Sequence, residues 1–169
     1  MAADKYLGLA NGIVTEKAGA QTSTANAIAA MDATGKLNLN MMPAGIGAEV
    51  ESIMASEALL AGDFVNKWND SGTPKVRKAD ASTGGKEANG FVLAGAGSGN
   101  MVDVYAIGGV ANNQMSGMTI GARQYLSDAN AGKTIESPPV GATKVVQSLG
   151  RATSATVLVP VYTDPITLA

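Results

Sequence analysis

The chain has 169 residues, a formal net charge of −2, and neither cysteine nor histidine. These absences exclude disulfides and thiolate metal sites, and remove the commonest general base and transition-metal ligand. With only 15% charged residues and no basic excess, the chain lacks the clustered Lys and Arg that nucleic-acid backbone binding requires.

Hydrophobic residues make up 46% of the chain but aromatics only 4%, alongside 21 glycines. Small side chains pack backbones closely but bury little area each, and burial contributes roughly 25 cal/mol per Å². A modest core per subunit is therefore expected, with oligomerisation adding buried area. No apolar run approaches the roughly 20 residues of a membrane span. The N-terminus lacks a basic segment followed by a long apolar one. A soluble protein made in the cytoplasm is expected.

Residues 1–48 read as an extended N-terminal arm. Tyr6, Leu7, Leu9, Ile13 and Val14 form a short apolar patch broken by Gly8 and Gly12. A small, polar linker follows from Ala18, then a stretch from Ala25 to Met31 long enough for one or two helical turns. Asp32 to Leu37 reads as a turn, in which Gly35 supplies positive φ. Met41 and Met42, before Pro43, suit an irregular contact because methionine adapts to uneven surfaces. An arm of this kind is expected to lie along a neighbouring subunit.

From residue 49 to 169 the texture is that of a β body. Ile53 and Ala55 alternate with Met54 and Ser56, which suits a short strand. Phe64 to Trp68 reads as a strand with Phe64, Asn66 and Trp68 on one face and Val65 and Lys67 on the other. Asp70-Ser71-Gly72 is a hairpin turn, and Pro74 to Lys78 returns. Lys75, Arg77 and Lys78 form the one local basic cluster, expected on a solvated strand edge. Asp63 reads as a turn residue. Phe91 to Ala94 is an unbroken apolar strand, expected to be buried on both faces. The alternating Gly95, Gly97 and Gly99 are followed by another strand, Met101 to Ile107, and not by a helix that could hold a phosphate. They read as a hairpin loop. Met115 and Met118 flank Gly117, and serve either as exposed contacts or as buried gap-fillers.

Three strands close the chain. They are Gln124 to Ser127, Lys144 to Ala152 and Thr156 to Val159, with Gly150 marking a bulge and Thr153-Ser154-Ala155 a hairpin. Core candidates are Tyr125, Leu126, Val145, Leu149, Val157 and Val159. On that register Val157→Asp unfolds the body, whereas Lys144→Ala hardly matters. Strand-length segments with turns about every 8–12 residues predict an all-β fold, a small β-sandwich or barrel-like body.

The carboxylates Asp63, Asp70, Asp80 and Asp128 occur singly, the serines lack a nucleophile elbow, and no calcium-loop pattern appears. The sequence predicts no catalytic residues, no metal site and no cofactor.

Several segments in order resemble tailed-bacteriophage virion proteins, in particular small head-decoration (capsid cement) proteins. They are Met31-Asp-Ala-Thr-Gly-Lys-Leu37 with Met41-Met42-Pro43, Ala55 to Asn66, Lys75 to Ala81 with Gly90 to Leu93, Gly117 to Ser127, Val145 to Ala152, and Ser154 to Val159. The resemblance spans about residues 31–160. It implies a non-enzymatic structural protein of the virion, made in the host cytoplasm, that binds the outer head surface and stabilises contacts between major capsid proteins. Its expected partners are the major capsid protein and further copies of itself, as a trimer or dimer, with no nucleic acid or membrane. Tyr6, Leu7, Leu9, Ile13, Val14, Met41, Met42, Met115 and Met118 are the candidate contact residues. Such segments also recur in tail-fibre and baseplate modules, so a host-receptor role is the alternative.

Overall fold

The computed structural model describes the backbone of Lys5–Ala10 and Ile13–Ala18 and all of residues 49–169. Backbone contacts divide the chain into two units, Met1–Gly47 and Ala48–Ala169. In the first, β1 (Lys5–Ala10) and β2 (Ile13–Ala18) pair antiparallel from Lys5↔Ala18 to Ala10↔Ile13. The apolar patch near the N-terminus is thus two paired strands. Asn11-Gly12, the dipeptide between them, is a strong hairpin signal that the sequence reading passed over. The linker, the turn at Gly35 and the stretch from Ala25 to Met31 lie outside the described residues.

The second unit is all-β; its described residues contain no helix. Its first half is a closed barrel of five strands: β3 (Val50–Ala55), β4 (Phe64–Asp70), β5 (Thr73–Lys78), β6 (Gly90–Val92) and β7 (Met101–Ala106), in the order β3-β5-β4-β6-β7. All neighbours are antiparallel except β3 and β5, which run parallel through Met54↔Lys75 and Ala55↔Val76. The β4–β5 turn forms where expected. Asp70 pairs with Thr73, leaving Ser71 and Gly72 at φ 54° and 91°, the backbone of a type I′ turn. Because β5 is hydrogen-bonded on both sides, Lys75 and Arg77 do not sit on a strand edge, contrary to the sequence expectation. Lys75 instead pairs with Asp70 at 2.6 Å.

The second half is a four-stranded antiparallel sheet in the order β12-β11-β8-β9, formed by β8 (Arg123–Leu126), β9 (Thr134–Ile135), β11 (Ser148–Ala152) and β12 (Leu158–Pro160). A two-stranded ladder joins β10 (Val145–Val146) to β13 (Ile166–Thr167). The bulge expected at Gly150 is present. The β8–β11 register shifts between Ser148 and Gly150, and Gly150 has φ 134°.

Two cores follow from this arrangement, and successive residues of one strand feed both. Ile53, Ala55, Leu59, Val65, Val76, Val92, Val102 and Val104 fill the barrel. Phe64, Phe91, Leu126, Val145, Leu149 and Leu158, with the alanines 79, 81 and 88, form the core between barrel and sheet. In β4, Phe64 enters one core and Val65 the other, so the start of this strand is buried on both faces. The same holds for Phe91 and Val92 in β6, whereas the expected strand to Ala94 stops at Val92, with Leu93 half-buried and Ala94 exposed. The alanines suit a loop that must approach closely. Ala79 N–H donates to Phe64 O, Ala81 N–H to Ser127 O, and Val145 N–H to Ala81 O.

The register of the last strand differs from the sequence expectation. Leu158 is fully buried, Val157 is half-buried and Val159 is 45% exposed. Tyr125 is half-buried, whereas Leu126, Val145 and Leu149 are core residues as expected. Val157, Leu158 and Val159 are all apolar, so alternation alone could not choose the inward residue.

Candidate docking surface

The buried polar groups of the body are committed to internal structure. Asp63 is fully buried. Its Oδ2 accepts the Leu60 N–H at 2.9 Å, which is the turn role read from sequence. Its Oδ1 faces Lys133 Nζ at 2.5 Å as an ion pair, outside hydrogen-bond geometry. Asn112 Nδ2 donates to Gly62 O, and Asn66 Nδ2 to Glu87 O. Gln124 Oε1 accepts from Thr134 Oγ1. Gln147 pairs with both backbone polar groups of Ala88. Among the described residues no three Asp or Glu side chains gather as a metal-binding group.

Several surface charges are paired. Lys67 meets Glu51, and Lys144 meets Asp128. The Lys144 hydrogen bond is the largest influence on Asp128 and holds its carboxyl below the ordinary aspartate value. The Thr119 backbone N–H does the same for Glu136, with a smaller contribution from Gln124. Trp68, the one tryptophan, has Arg77 over its ring at 4.8 Å from the centroid, and donates its indole N–H to Ser56 Oγ. That ring face is already occupied.

A row of side chains crosses the outer face of the second sheet. Pairing of β8, β11 and β12 places Arg123 opposite Arg151, and Arg151 opposite Val159. All three are exposed. With Val161, Ser148 and Thr163 they line a hollow of about 450 Å³. Among the described residues neither arginine lies within ion-pair distance of a carboxylate. Arg151 Nη1 donates to Gly121 O at 2.8 Å, which fixes one side of its guanidinium. Two like charges directly opposite on neighbouring strands are destabilising, so the sheet does not gain from them. Two planar forks beside an apolar wall form a surface suited to a carboxylate.

The contact residues read from sequence fall elsewhere. Tyr6, Leu7 and Leu9 lie on β1, and Ile13 and Val14 on β2, where the register places Leu9 opposite Val14. Met41 and Met42 lie outside the described residues. Met118 is buried in the core between barrel and sheet, and Met115 packs against it half-buried. Of the two roles open to them, this is gap-filling. Arg123 and Arg151 were missed because they lie far apart in the chain, and only strand pairing brings them together. Neither protein-family models, nor curated proteins, nor solved structures give a match to this chain.

Proposed function

We propose that this chain is a non-enzymatic structural protein of a phage virion that binds the outer surface of the head and stabilises contacts between major capsid proteins. The observation that carries the reading is the ordered series of segments from Met31 to Val159 that resembles head-decoration proteins. The body's architecture supports it. Its buried amides are spent on internal structure, and its two cores make a rigid platform whose exposed faces are left for docking. Many copies on a lattice attach by avidity, so no single contact has to be strong. The N-terminal segment, a separate unit from the body, contributes contacts along neighbouring subunits.

The test is deletion of Met1 to Gly19 followed by a head-binding assay. Loss of decoration with a body that stays folded by circular dichroism supports the reading, and unchanged decoration refutes the role given to this segment. Imaging particles labelled at the C-terminus separates head from tail. Label over the whole head supports a cement role, and label confined to the tail supports a fibre or baseplate role.

A further inference from the structure

We infer that the arginine row on the second sheet docks a second copy of this chain head to tail, receiving the barrel surface around Asp103. Three carboxylates of the body, Glu49, Asp103 and Asp164, have neither an ion pair nor a side-chain hydrogen bond among the described residues. The others do: Glu51, Asp70 and Asp128 meet lysines, Asp63 meets Lys133, and Glu57, Asp80, Glu87 and Glu136 accept backbone N–H groups. Of the three left over, Asp103 lines a hollow of about 270 Å³ on the barrel.

The setting of Asp103 complements the arginine row. On β7, Val102 and Val104 point into the barrel, so Met101, Asp103 and Tyr105 share its outer face. Met101 is 58% exposed and Tyr105 half-buried. A lone carboxylate flanked by apolar groups therefore stands on one element. Two arginines lacking a carboxylate partner, flanked by Val159 and Val161, stand on another. Charge and polarity match in kind, and the arginine fork suits a bidentate carboxylate. Within one chain Asp103 makes no ion pair with either arginine. The pairing we infer is accordingly one between copies. Because the two patches are different surfaces, the contact is heterologous and repeats from copy to copy, as a ring or an open chain.

This contact goes beyond head binding and does not depend on it. Sedimentation velocity on the full chain at micromolar concentration tests it, with circular dichroism confirming the fold of each variant. Reversible association is expected in the wild type. Asp103→Arg alone, and Arg123→Glu with Arg151→Glu, each weaken it by more than about tenfold, since like charges across an interface are strongly unfavourable. Combining all three reversals in one chain restores it. A wild type that stays monomeric overturns the inference. So does association indifferent to either set of reversals, or a triple variant that remains dissociated. Decoration of heads by the same variants is read separately, so failure of this contact is distinguishable from failure of the head-binding reading.

Discussion

Gln147→Leu removes a side chain that imitates a strand. Gln147 is 1% exposed; its Oε1 accepts the Ala88 N–H at 2.8 Å and its Nε2 donates to the Ala88 carbonyl at 2.9 Å. Ala88 is itself fully buried, so no water can replace either bond. Leucine fills a similar volume but leaves a donor and an acceptor unpaired. Each such group costs about 1–3 kcal/mol. Transfer of the apolar side chain offsets about 1–2 kcal/mol, for a net loss of about 2–4 kcal/mol. Domains of this kind hold only about 5–15 kcal/mol in total. Urea unfolding followed by tryptophan fluorescence reads the loss. With a slope of about 1–3 kcal/mol per molar, the midpoint falls by about 1–2 M. A midpoint within about 0.3 M of wild type refutes the idea that this amide bridge joins the Ala79 to Ala88 loop to the second sheet.

Three further outcomes are expected. Leu158→Ala destabilises by about 2–5 kcal/mol, whereas Val159→Ala on the exposed face stays within about 0.5 kcal/mol; equal losses in thermal melts contradict the register described for β12. Gly150→Ala costs about 3 kcal/mol or more, because its backbone lies at φ 134° and an added Cβ comes within 3.0 Å of Pro160 Cα; normal stability in urea excludes the close β11–β12 approach. Asp128 and Glu136 have folded-state values below their unfolded ones, so between the two the unfolded state binds more protons. Their contribution is complete above the unfolded values, about pH 4 for carboxylates, and is lost as pH falls through the folded ones. The melting temperature therefore drops below about pH 4. Asp128→Asn shallows that drop, and an identical profile in the variant removes Asp128 from the account.

Local chemistry was readable in the sequence, and closure of the fold was not. The turn at Ser71-Gly72, the bulge at Gly150 and the buried run at Phe91-Val92 follow from residue type within a few positions, and all three are present. The parallel pairing of β3 with β5 was invisible because it joins strands separated by all of β4 and its flanking turns. Without it, Lys75 and Arg77 were placed on an edge that the closed barrel does not have. The sequence puts Phe64 and Val65 on opposite faces of one strand, but the division of the body into two cores, which buries both, leaves no local mark. At Val157, Leu158 and Val159 three apolar residues in a row carried no register information. The arginine row depends on the β8–β11 register, a long-range property.

The chain passes from the N-terminal unit into the barrel through β3. That strand is laddered to β7 over five residue pairs and to β5 over two more. An edge strand can be peeled from its sheet one bond at a time. In β3, tension arriving from the preceding segment meets the β7 ladder first, along Val50 to Ile53, and reaches partners on both flanks at Met54 and Ala55, with Ile53 and Ala55 anchored in the barrel interior. The strand where load enters the body is thus held by one neighbour at its outer end and locked between two at its inner end. Unzipping from that side is stopped where β5 joins the ladder, and beyond that point the force is shared by the whole barrel.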